Sequence, residues 1–174
     1  MSPPKQTWAI SKSLILCPFA KAFYVKNQVR YVVSRAPHLD GFLEDLDREL
    51  DFLAAADPEA VDTTLLIHPT LLPDFLDFND FLQLAEAAVG EHGLDGVIQI
   101  ASFHPHFQFE GTEPDDIGNF TNRAPFPTLH LLREASIERA VAAFPEAETL
   151  YARNIETLKA LGHAGWQALW REKP

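Results

Sequence analysis

The sequence predicts an α/β fold: a three-stranded, mostly parallel βαβαβ core with an N-terminal helix and a helical C-terminal third. Three observations point to it. Short β-branched or aliphatic runs at Val29–Val33, Thr63–Ile67 and residues 97–103 read as strands. The two stretches between them repeat apolar residues at helical spacing. Strand, helix, strand in that order is built as right-handed crossovers, which place the strands parallel. With 174 residues and 47% hydrophobic content, the chain can bury its own core as a single domain over 1–174.

Along the chain, a helical opening from about Trp8 meets Pro18, and Val29 to Val33 follows as the first strand. Phe42, Leu43, Leu46, Leu50 and Leu53 then recur on one helix face, until Asp57-Pro58 stops the helix. Thr63 to Ile67 is a short apolar strand closed by His68-Pro69. A second helix carries Phe78, Phe81, Leu82, Ala85 and Val89 and ends at Gly93. Residues 97–103 form the third strand, whose apolarity on both faces predicts a central position. Residues 104–127 lack periodicity but carry Phe107, Phe109, Phe120 and Phe126, so an ordered loop folded over a pocket is expected. Pro127 suits the first turn of a helix bearing His130. Pro145 starts another, with Leu150, Tyr151, Ile155, Leu158 and Leu161 on its stripe and Gly162 at its end. A short segment with Trp166, Leu169 and Trp170 completes the chain as a docked terminal helix.

A net charge of -11 argues against nucleic acid as the main partner, because phosphate binding rests on Lys and Arg. The apolar runs are too short for a bilayer span or a signal peptide. One cysteine makes no internal disulfide, so a reducing, cytoplasmic setting is expected. The charge is unevenly spread. Every charged residue before Asp40 is basic (Lys5, Lys12, Lys21, Lys26, Arg30, Arg35), which either relieves the repulsion of the acidic body or forms an anion site.

His68 and His104 each close a strand and each precedes proline, which places both imidazoles at the carboxyl edge of a parallel sheet, where open α/β folds bind ligands. The ordinary structural alternative is a histidine bonded to a loop carbonyl. His104, His106 and Glu110, with His130 from the next helix, offer donors for zinc, iron or manganese. The spacing resembles the first cupin metal motif, but the preceding glycine is absent and the chain does not read as a β-barrel. Asn119, Asn122 and Arg123 lie in the aromatic loop, and His130, Arg133 and Glu134 share a helix face at three- and four-residue spacing. Arg123 and Arg133 suit a carboxylate or phosphate, with His104, His130 or Glu134 placed for proton transfer. An ordinary solvated face with an Arg–Glu pair is the alternative. Cys17-Pro18-Phe19-Ala20 resembles the active-site tetrapeptide of omega-class glutathione transferases, and a cysteine before a proline-started helix feels its positive end. A buried structural cysteine is the competing reading.

The runs Leu16-Cys17-Pro18-Phe19-Ala20, Thr64-Leu65-Leu66-Ile67-His68-Pro69, Gln99-Ile100-Ala101-Ser102-Phe103-His104-Pro105, Thr121-Asn122-Arg123 and His130-Leu131-Leu132-Arg133-Glu134-Ala135-Ser136 together resemble the bacterial family catalogued as domain of unknown function 1415. The resemblance covers about residues 16–161. It implies a bacterial cytosolic protein and brings no assigned activity. In that family the positions of His106 and Glu110 often hold other residues, which counts against a four-ligand metal site.

The functional expectation is therefore a small-molecule enzyme or ligand-binding domain. Its pocket would be lined by His68, His104, Asn119, Asn122, Arg123, His130, Arg133 and Glu134 and would attract a small anion. The alternatives are a noncatalytic interaction domain that uses the long loop and basic N-terminal segment, a metal-dependent enzyme using His104, His106, Glu110 and His130, and a Cys17 thiol enzyme.

Overall fold

The computed structural model describes residues 25–143 and 149–171. The expected helix from Trp8, Cys17 and Pro145 lie outside the described residues.

The βαβαβ order is present. Strand β1 (Val29–Val33) leads to helix α1 (Leu39–Ala55), β2 (Thr63–Ile67), α2 (Phe75–Glu91) and β3 (Ile98–Phe103). The α2 N-terminus is capped by Asp74, whose carboxylate accepts from the Leu76 and Asp77 amides. Gly93 supplies the left-handed turn that ends the helix.

A fourth strand, however, corrects the expected sheet. Residues read as a helix after Pro127 form β4 (Thr128–Arg133), antiparallel to both its neighbours in the order β1-β2-β4-β3. It sits between β2 and β3, which are parallel to one another but not adjacent. The strand period explains the outcome. Leu129 and Leu131 enter the core that α1 and α2 cover, while Thr128, His130 and Leu132 turn to the other face. No helix could occupy that slot, because two flanking strands present their backbone groups to it.

β3 is consequently an edge strand rather than the central one. Its far end is shielded by Asn122, whose Nδ2 donates to the Ser102 carbonyl at 3.2 Å and whose own carbonyl accepts from the His104 amide at 3.2 Å. That mimicry of a neighbouring strand blocks edge pairing there.

Both α1 and α2 lie on one face of the sheet. Phe42, Leu46, Leu50 and Leu53 meet Phe78, Phe81, Ala85 and Val89 over Leu66, Ile98, Leu129 and Leu131, with Phe42 and Phe81 stacked at 5.2 Å. Leu65 and Ile67 are also buried, on the opposite face.

After β4 the chain turns directly into α3 (Glu134–Ala143), and α4 (Leu150–Arg171) follows with a break at Gly162. The long loop keeps its predicted irregularity except for a 3-10 helix (Ile117–Asn122). Leu158, Leu161 and Trp166 of α4 pack on Ile117 and Phe120 of that short helix as a second apolar cluster. Among the described residues, no helix is long and apolar enough to cross a membrane.

Candidate functional site

The two strand-end histidines share one arrangement. His68 is fully buried. Its Nε2 lies 2.9 Å from the Ala36 carbonyl, and its Nδ1 is 2.9 Å from the Leu71 amide. A carbonyl only accepts and an amide only donates, so Nε2 carries the proton and Nδ1 the lone pair. His104 repeats the pattern, with Nε2–H donating to the Leu72 carbonyl at 3.0 Å and Nδ1 accepting from the His106 amide at 3.0 Å. Its ring packs between Phe75 and Phe78. Burial pushes both imidazoles below the usual histidine range, opposed in part by their carbonyl bonds. Each histidine thus ties the loop after its own strand to the loop after the preceding parallel strand.

The loop residues are also engaged with backbone. Asn119 is fully buried, donating to the Glu113 carbonyl at 2.8 Å and accepting from the Phe109 amide at 3.0 Å. Arg123 donates from Nε to the Phe107 carbonyl at 3.2 Å and from an Nη to the Pro114 carbonyl, and its guanidinium lies 4.2 Å over the Phe120 ring. Burial lowers its pKa, with Asp115 opposing. These contacts tie the long loop to itself.

Arg133 lies at the other end of the sheet. One Nη reaches the Leu53, Ala56 and Val61 carbonyls at 2.5, 2.8 and 3.4 Å, which closes the C-terminal end of α1. Arg133 pairs with Ile98 at the start of β3, whereas Asn122, next to Arg123, is bonded at the end of β3. Six strand residues at about 3.3 Å each separate the two guanidinium neighbourhoods by on the order of 20 Å. The expected convergence of Arg123 with Arg133 is not formed. Glu134 begins α3 at the Arg133 end, where its amide donates to the Val97 carbonyl. It is remote from His104.

His130, Arg133 and Glu134 do not share a helix face. Strand alternation sends His130 and Arg133 to opposite sides of the sheet. The same geometry separates the expected metal ligands, for His104 packs against α2 while His130 contacts Phe103 on the other face at 6.1 Å. His106 and Glu110 are exposed. Among the described residues, no group of three or more His, Cys, Asp or Glu side chains is arranged to hold a metal ion.

His130 differs in kind. It is buried in a cross-strand row of Tyr31, Leu65, His130 and Ala101 on the face away from α1 and α2. Its Nε2 is 2.7 Å from the Thr63 hydroxyl, which itself lies 2.6 Å from the Leu131 carbonyl. The hydroxyl must donate to that carbonyl, so it accepts from Nε2–H, and the lone pair is assigned to Nδ1. Burial pushes the imidazole down to about 3, so the ring is neutral at physiological pH. Thr63 and Tyr31 were not singled out from the sequence. Thr63 pairs with a residue 67 positions away, and only the register of β2 against β4 reveals it.

A family model described as a protein of unknown function (DUF1415) matches residues 7–168. No curated protein and no solved structure gives a match.

Proposed function

The chain belongs to the DUF1415 family of proteins of unknown function, and on that premise we propose that it is a ligand-binding domain for a small molecule, working from His130. One observation carries the reading: the buried, neutral imidazole is oriented by the Thr63 side chain, which is itself fixed on the Leu131 carbonyl. The other candidate histidines and arginines make hydrogen bonds to their own backbone, which is the work of fold maintenance. A ring oriented through a second group is the arrangement of a recognition or catalytic histidine.

The depressed basicity of the ring supports binding over proton transfer. A general base works best with a pKa near the operating pH, and an imidazole pushed down to about 3 is a weak base at neutral pH. Its neutral lone pair is a hydrogen-bond acceptor. A neutral imidazole paired with a hydroxyl brings no positive charge to this face, which favours a ligand recognised through hydrogen bonds over a bare carboxylate or phosphate.

The test is native mass spectrometry of the full chain, for a retained small molecule, with NMR titration against hydroxy acids, amides and phosphate esters. Binding that shifts the His130, Thr63 and Ala101 resonances and weakens about tenfold or more in His130→Gln supports the reading. A chain that retains nothing and shows no shifts at those residues would make the noncatalytic interaction domain the better account.

A further inference from the structure

The carboxyl edge of the sheet holds a device independent of the His130 reading. We propose that His104 is a proton-operated latch that holds the segment 104–123, together with the α4 helix docked on it, against the sheet and releases both when Nδ1 takes a proton.

The latch follows from hydrogen-bond polarity together with the burial of the ring against α2. In the neutral ring Nε2–H donates to Leu72 and Nδ1 accepts from the His106 amide. Protonation of Nδ1 sets a donor against a donor and breaks the second bond. Complete burial between Phe75 and Phe78 leaves the ring no solvated rotamer in place, so the charged form must leave its slot. The charged or titratable groups acting on it are His106, on its own segment, and Asp74 at the start of α2; α2 otherwise presents the two phenylalanines. Burial and His106 disfavour the charged ring, while Asp74 and the Leu72 bond favour it.

Two further features make release a discrete event. Leu72 has φ +55, a left-handed conformation that a bulky L-residue rarely adopts, and its carbonyl is the acceptor for His104. Nε2–H donates in both protonation states, so this bond is lost only when the charged ring leaves its slot; the strained turn can then relax, which opposes relatching. The segment is also tied to itself, through Arg123 to Phe107 and Pro114 and through Asn119 to Phe109 and Glu113. It therefore moves as a body, carrying α4 on Ile117 and Phe120. Its strand-like attachment is the exchange between His104, Asn122 and Ser102, immediately beside the latch.

Hydrogen exchange on the full chain, corrected for intrinsic rates, tests this between about pH 7.5 and about pH 4.5. The His104 amide, bonded to the Asn122 carbonyl, and the Phe107 amide should lose protection by tenfold or more on acidification while far-UV circular dichroism stays native. His104→Gln provides the control, because its amide can donate to Leu72 and accept from His106 but cannot be protonated. The variant should keep neutral-pH protection and lose the pH dependence. Persistence of acid opening in His104→Gln, or unchanged protection in the wild type, overturns the proposal. If the variant misfolds, nitrogen-15 spectra of the wild type decide: Nδ1 protonation of His104 must share its midpoint with the opening, and a mismatch rejects the latch.

Discussion

Acidification should destabilise this protein through its buried imidazoles, and His130 sets the scale of the effect. The folded state holds His130 neutral with a pKa of about 3, whereas the unfolded ring titrates near 6.5. Below pH 6.5 the unfolded chain therefore takes up a proton that the folded chain refuses, so stability is full above that pH and falls toward pH 3. At about 1.4 kcal/mol per pH unit, the loss is ~3 kcal/mol at pH 4 and approaches ~5 kcal/mol at the lower limit. Against a typical total of about 5–15 kcal/mol, that is a large fraction. His68 and His104 have the same sign, because burial lowers both. His92 has the opposite sign, since Asp51 and Asp47 raise its pKa, and its contribution is lost as pH rises. The contribution of His130 is isolated by comparison with His130→Gln, which cannot titrate. Urea unfolding followed by tryptophan fluorescence from about pH 8 to about pH 4 should give a variant that is less stable at pH 7 by ~1–2 kcal/mol but loses ~3 kcal/mol less on acidification. Parallel stability curves, offset by a constant, would refute the reasoning: His130 would then be protonating in the folded state as readily as in the unfolded one.

Arg133→Met removes the donor shared by the Leu53, Ala56 and Val61 carbonyls, and should cost ~2–4 kcal/mol in urea unfolding, with Arg133→Lys recovering less than half because an ammonium lacks the reach and planarity of the fork. A loss under ~0.5 kcal/mol would mean that α1 closes without it. Gly162 has φ 63 and ψ 173, a region open essentially to glycine alone, and open space surrounds its Cβ position, so Gly162→Ala should act through backbone strain. The expected cost is ~1–3 kcal/mol, seen as loosening of Trp166 from Phe120 by fluorescence quenching. Unchanged quenching at unchanged stability would show that the break in α4 does not depend on glycine.

The elements readable in the sequence were those whose signal is local. The apolar stripe of α1 from Phe42 to Leu53 lies within one element, and Asp57-Pro58 marks its end in the same stretch. The twin His-Pro strand ends were readable for the same reason, although not that their rings bond backbone, since carbonyls leave no trace in side-chain identity. β4 shows the opposite case. Thr128 to Arg133 has a proline before it and polar residues at helical spacing after it, so local rules favour a helix. What makes it a strand is a pair of distant partners, Leu65 on one side and Ala101 on the other, both opposite His130. The apolarity of β3 on both faces likewise suggested a central strand, while the structure seats it at an edge and lets Asn122 supply the missing neighbour. Exchanging a helix for a strand also redistributes the chemistry. Three residues apart on a helix, His130 and Arg133 would face one pocket; on a strand they face opposite sides, and each finds different work. Arg133 closes α1, and His130 joins Thr63 on the far face. The expected charged pocket is thereby not formed: the two arginines bond backbone carbonyls at opposite ends of the sheet, and the neutral ring of His130 adds no positive charge to the face it occupies.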